Sequence, residues 1–189
     1  MSGLAGYLRI QARANRLMNH RLHTAMQPLD RAALHAPRTG FFPSLIATLN
    51  HLLAVDLYYV AVLDRADDPQ HAWHGFVPAD SLADLMPRQA VVDERLIAWC
   101  EAQDDDGVMQ MVAMPRAAGR IQRDRAAHML AHLFMHQVHH RGQVHAMLSG
   151  TAVPPPQLDE FMMPSEGELR TAEMAALGWD ERAVYGTPP

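Results

Sequence analysis

HMLAHLFMHQVHHRGQVHAML, residues 128–148, is the stretch from which the rest of this chain can be read. Leu130, Leu133, Phe134, Val138, Val144 and Met147 recur at helical intervals and spread over more than one side, which predicts a long, largely buried helix from about Ile121 to Leu148. The same stretch carries six histidines. Residues four apart on a helix lie one turn above each other, so two imidazoles at that spacing can reach one cation. His128, His132, His136 and His140 form a ladder of such pairs, whereas His139 and His145 point elsewhere. Each step turns the direction by about 40°, and the ladder drifts by roughly 120°, so at most two adjacent members can share an ion. His136 and His140 stand at its middle, followed by Arg141, Gly142 and Gln143. An unpaired polar group in a bundle interior costs about 1 to 3 kcal/mol, so two inward histidines must be hydrogen-bonded or ligated. An HxxxH pair lacks the glutamate of HExxH, and spacing alone leaves both readings open. A metal site needs a third ligand from elsewhere.

Working outward, three more stretches show the same period. The first runs from about Leu4 to Met26, with Leu4, Leu8, Leu17, Leu22 and Met26 as expected core positions and Pro28 ending it. The second, SLIATLNHLLAVDLYYVAVLD from about Ser44 to Asp64, is apolar nearly all round and is expected at the centre, with Ser44 as its cap. The third, from about Pro87 to Gln103, places proline in a first turn and Val91, Leu96, Ile97 and Trp99 as residues to bury. Between the third and fourth, VMQMVAM (108–114) has strand-like alternation and suggests a small hairpin. Beyond Gly150 the prolines of TAVPPPQLDEFMMPSEGELR cannot continue a helix, and a short helical tail is expected through Glu168–Leu177. Helices with almost no strand indicate an all-α four-helix bundle. Its domain is expected to span residues 1–158, with an irregular, proline-rich C-terminal extension over 159–189 packed on the domain or on a partner.

The chain has 189 residues, 49% of them hydrophobic, enough for one compact domain plus an extension. Cys100 is the only cysteine, which excludes a disulfide framework, a zinc ribbon and a dithiol redox pair, and suits a reducing cytoplasm. All sixteen basic residues are arginine, and without lysine there is neither Schiff-base chemistry nor a P-loop. The formal charge of −5, with no basic cluster, argues against a nucleic-acid partner. Arg and Gln interrupt the apolar residues of the opening segment too often for a signal peptide, and no uninterrupted apolar run reaches membrane-spanning length, so no membrane association is expected.

HLFMHQVHHRGQVHAML resembles the last-helix signature H-x-x-x-H-R-G-Q of the DinB-like (damage-inducible protein) family of metalloproteins, on His136, His140, Arg141, Gly142 and Gln143. LNHLLAVDLYYVAVL is similar to a second family segment, with Asn-His, then Asp five residues on, then aromatics. YLRIQARANRLMNHRL, with Asn15 and Asn19, is similar to the family's first helix, and PPPQLDEF to its closing segment, so the resemblance covers about residues 4 to 158 in chain order. It implies a four-helix bundle with a long crossover connection, often a homodimer, and metal ligands at His51, His136 and His140. Such an open triad leaves coordination positions for water or substrate. Neutral imidazoles suit zinc, nickel, copper or iron, so the divalent metal's identity stays open. Asp56 is expected either to orient a ligand or a bound water or to be an exposed or structurally paired carboxylate, and Asn15 and Asn19 to sit as caps or on the surface more readily than in the cavity. His20, His23 and His35 are placed around the first helix and loop, and His71 and His74 in a loop expected at the edge of the pocket, without a second ligand-like residue at a useful spacing.

Relatives in the broader superfamily include thiol-dependent transferases and maleylpyruvate isomerases. The resemblance therefore implies a metal-dependent enzyme, first of all a transferase acting on a small-molecule thiol and an electrophilic substrate, or else a hydrolase. A non-catalytic metal-binding or stress-related protein is the alternative, and a bundle without metal the third.

Overall fold

The computed structural model describes residues 3–159 and 163–186. The end of the expected closing segment, Glu160 and Phe161, lies outside the described residues. Four long helices make the bundle: α1 (Gly3–Met26), α3 (Leu45–Leu63), α5 (Leu82–Glu101) and α7 (Ala126–Leu148). Both α1 and α3 pack chiefly on α5 and α7, so α1 and α3 face each other across the bundle, as do α5 and α7. The chain therefore crosses the bundle twice, through residues 27–44 and 102–125, the second crossing carrying the one-turn helix α6 (Asp105–Val108). Their shared interior is filled by Leu17, Leu22, Leu45, Leu49, Leu53, Leu85, Leu96, Leu130 and Leu133, all essentially inaccessible to water. Each such leucine stabilises the fold by roughly 2 kcal/mol relative to an exposed one.

Local chemistry sets the helix starts. Ser44 accepts a hydrogen bond from the Ala47 amide at 3.3 Å and opens α3, and the short α2 (Arg31–His35) is capped by Asp30. On α5, Ser81 accepts from the Asp84 amide, so the helix begins at Leu82 and not at Pro87. Pro87 is exposed inside that helix, where its ring turns to solvent and the missing N–H affects only the first turns. The earlier start brings Gln89, Val92, Asp93, Leu96 and Ile97 inward and leaves Val91, an expected core residue, 60% exposed. Leu4 is likewise 39% exposed at the start of α1.

The fourth helix starts at Ala126, five residues later than its periodicity suggests, because 121–125 belong to a hairpin. Strand β1 (Met111–Pro115) pairs antiparallel with β2 (Ile121–Arg125), with Ala113 opposite Arg123. The turn between them puts Ala118 and Gly119 at positive φ. The Tyr58 hydroxyl donates to the Pro115 carbonyl at 2.6 Å and pins the hairpin to α3.

By length and composition α3 alone among the described helices would suffice to cross a bilayer, but most of it is buried in the bundle. Its polar residues are taken up there: the Thr48 hydroxyl donates to the Ser44 carbonyl (2.9 Å), Asn50 exchanges hydrogen bonds with the Ala79 backbone (2.7 and 2.8 Å), and His51 and Asp56 meet α5 and α7. After α7 the extension runs through a 3₁₀ segment (Pro164–Arg170), α8 (Thr171–Leu177) and α9 (Glu181–Tyr185). The 3₁₀ turn delays the expected tail helix to Thr171. Met174, Val184 and Tyr185 form a small second core against Ile10 and Trp179, and Arg21 pairs with Glu173, so the extension lies on α1.

Candidate metal centre

Because α7 is α-helical without interruption, His136 and His140 stand one turn apart, and the packing of α3 on α7 brings His51 to them. His51 Nε2 and His136 Nε2 are 2.9 Å apart. The His140 ring centroid lies 4.7 Å from that of His51 and 4.4 Å from that of His136. One ring nitrogen of each of the three lies within 4.8 Å of the others.

Electrostatics keep these rings neutral. Burial, and then the charge His140 would carry, hold His51 down at about 4. The same two causes in the same order hold His136 at about 3, and burial also lowers His140. Lone pairs are therefore available at neutral pH. Gln143 Oε1 accepts the Nδ1–H of His140 at 2.7 Å, which leaves Nε2 of that ring as the free donor atom. Gln143 is held in turn by its amide, which donates to His139 Nε2 at 3.1 Å. Phe42 stacks on His51 at 4.3 Å and reaches His140 at 5.6 Å, walling one side. Among the described residues His136 Nδ1 is buried without a hydrogen-bond partner. Two imidazole lone pairs facing at 2.9 Å repel unless a proton or a cation lies between them. Three neutral imidazoles with no carboxylate or thiolate suit a borderline divalent ion such as zinc, nickel, copper or iron(II), with at least one position left open.

Beside the triad, all four long helices contribute to one buried polar layer. Asp56 from α3 accepts from Gln89 Nε2 of α5 (2.7 Å) and from Gln137 Nε2 of α7. Asp93 of α5 accepts from Gln89 (3.0 Å), Asn15 (3.3 Å) and Asn19 (3.1 Å). Arg141 of α7 donates to Asn15, to Asn19 (3.0 Å) and to Gln137 (3.0 Å). Burial, followed by the neighbouring Asp93 charge, raises Asp56, and burial raises Asp93, while burial lowers Arg141. Gln137 and Arg141 each follow a triad histidine by one residue, about 100° round the helix. Anchoring them in the core fixes the rotation of α7 and so aims His136 and His140 at His51.

Asp56 thus takes the structurally paired alternative. It lies five residues after His51, about 140° round α3, and touches glutamines in place of a triad ring. Asn15 and Asn19 are buried in mid-helix, which corrects their expected placement as caps or on the surface. Their partners explain it: Asp93 and Arg141 are buried charges, and the two asparagines add to the hydrogen bonds that Gln89 and Gln137 give them.

Of the remaining histidines, His132 lies one turn from His136 (5.9 Å between centroids) and lines a cavity of about 440 Å³ with Tyr59, Arg116, Asp124 and His128. His128 pairs with Asp124 at 2.8 Å, His145 with the Pro156 carbonyl, and His35 with Asp80. His23 is fully buried and held near 3 by burial and then by Arg16. His71 and His74, expected in a loop without a further ligand, sit on the one-turn helix α4 (His71–His74), and Asp68 joins them. Phe42 and the pair Gln89/Asp93 were not anticipated, although two polar residues four apart on the core face of α5 are themselves a signal of a buried network. Comparison with curated proteins finds no match. The sequence pattern of the DinB family matches residues 10–171, most of the chain, and the protein belongs to that family.

Proposed function

We propose that this DinB family protein holds one divalent transition-metal ion on His51, His136 and His140 and uses it in a thiol-dependent transferase reaction. The observation that carries this reading is the convergence of three neutral imidazole nitrogens from two helices. When bound, the ion supplies Lewis acidity, which stabilises a thiolate at neutral pH or, in a hydrolase, a hydroxide. The chain's residues divide the other tasks. Gln143 keeps His140 in one tautomer, Phe42 shields His51 from water, and the cavity at His132 and Arg116 gives an electrophile with an acidic group a place beside the centre. The thiol has to come from outside the chain, because burial pushes Cys100 up to about 12.

The test has two stages. Elemental analysis of the purified protein should find metal that the His136→Ala variant lacks. The loaded protein should then consume glutathione, bacillithiol or mycothiol in the presence of an electrophile, with the rate abolished by chelation. Metal retention without consumption of any of the three would end the transferase reading. It would favour a non-catalytic role, for which the support is that an ion on the triad would clamp α3 to α7.

A homodimer is proposed as well. Met135 and Val138 on the outer face of α7 are 73% and 64% exposed, and Gly142 on the same face has open space beyond its Cα, so a second copy can approach closely there. Light scattering should give twice the chain mass, and Val138→Asp should reduce it to one.

A further inference from the structure

The turn from Asp68 to Gly75 opens on backbone hydrogen bonds that span three residues, from the amides of His71 to Asp68 (3.2 Å), Ala72 to Pro69 (3.3 Å) and Trp73 to Gln70 (2.8 Å), and closes on two that span four, from His74 to Gln70 (3.2 Å) and from Gly75 to His71 (2.9 Å). In a 3₁₀ or an α turn alike, positions three apart lie on one side of the helix. Asp68, His71 and His74 therefore share a face, and one donor atom of each lies within 4.8 Å of the other two. His74 Nε2 is 3.0 Å from Asp68 Oδ2, and the two imidazoles meet edge-on at 5.4 Å between centroids. Two features organise this turn beyond its own hydrogen bonds. A Cβ on Gly75 would lie 2.3 Å from His71 Cε1, so glycine is what allows that ring to fold back over the helix end. Trp73 packs on Tyr58 at 5.4 Å, and Ala72 and Phe76 rest on the main core, which seats the turn on the bundle. Asp68 and His71 also line a cleft of about 390 Å³ with Leu57, Phe76, Arg88 and Arg95.

We infer that Asp68, His71 and His74 form a second site for a divalent transition-metal ion. Two imidazoles and one carboxylate are a facial ligand set that leaves further positions open, and the carboxylate makes it harder than the all-imidazole triad, suited to iron(II), cobalt, nickel or zinc. All three ligands are exposed, so little desolvation opposes binding, and the cleft gives a second small ligand a path to the ion.

Equilibrium dialysis of the full chain against cobalt(II) or zinc tests the assignment. The wild-type protein should bind two equivalents. The double variant His71→Ala/His74→Ala, altered only at exposed positions, should bind one, and that one should disappear when His136→Ala is added. Gly75→Ala, which removes no ligand, should weaken the second equivalent by about tenfold and leave the first unchanged. Cobalt(II) absorption attributable to the second equivalent should be missing from the double variant. Unchanged binding in that variant overturns the site, as does a single wild-type equivalent that only His136→Ala removes. A single equivalent lost with His71 and His74 but insensitive to His136→Ala supports this site and sinks the triad instead.

Discussion

Gln143 is the residue whose role is most sharply defined by one contact. Its Oε1 takes the Nδ1–H of His140, so the ring's other nitrogen is free before any ion arrives. Gln143→Ala should leave the fold intact and reduce metal affinity by about 10- to 100-fold in a competition titration, whereas Gln143→Glu, which keeps an acceptor, should lose less. Asp56 makes a different prediction, about pH. Its folded value of about 7 lies above its ordinary 3.8, because of burial first and of Asp93 second. Between those values the folded chain keeps a proton that the unfolded chain has released. The stability Asp56 contributes is thus complete below 3.8 and is lost as pH rises through about 7. Asp56→Asn retains the acceptor for Gln89 and Gln137 but does not titrate. Urea denaturation at pH 5 and pH 8 should show the variant gaining on the wild type by roughly 1 kcal/mol per pH unit, and a gap independent of pH would contradict the assignment.

At the scale of the element, α7 shows why a site can be built from one helix and its neighbour. Its residues alternate in function: His136 and His140 face His51, while Gln137 and Arg141, one position on, lock into the core. Arg141→Ala should cost about 3 to 5 kcal/mol in a denaturant titration, because Asp93, Asn15 and Asn19 would lose the cation around which they are arranged. Much of this was legible beforehand. The period of 128–148 indicates the helix, and the H-x-x-x-H-R-G-Q resemblance indicates which ladder pair meets His51. What was not legible depends on tertiary partners. An asparagine at position 15 or 19 reads as a cap until Asp93 and Arg141 are seen beside it, and Phe42 reads as loop until it stacks on His51. The start of α5 is not legible from Pro87, because the capping bond of Ser81 sets the boundary five residues earlier. The set of Asp68, His71 and His74 is not legible in the sequence because Asp68 precedes the helix, and the fold of the turn is what brings its carboxylate to the two histidines.

For the whole molecule, the triad joins α3 to α7, so an ion there should stabilise the entire bundle. Free metal at a hundredfold excess over its Kd adds about 2.7 kcal/mol, which for a chain of this size raises Tm by roughly 5 to 10 °C. All three rings are held below the ordinary 6.5, His51 and His136 at about 4 and 3, so this rise should persist at pH 6.5 and be lost by pH 4. Differential scanning fluorimetry with and without chelator, at both pH values, checks it. The most direct test of the central claim is the X-ray absorption spectrum of the protein loaded with one equivalent of zinc in the His71→Ala/His74→Ala background. The expected result is multiple scattering from three imidazoles at about 2.0 Å, reduced to two in His51→Ala. A spectrum that His51→Ala leaves unchanged would contradict the account.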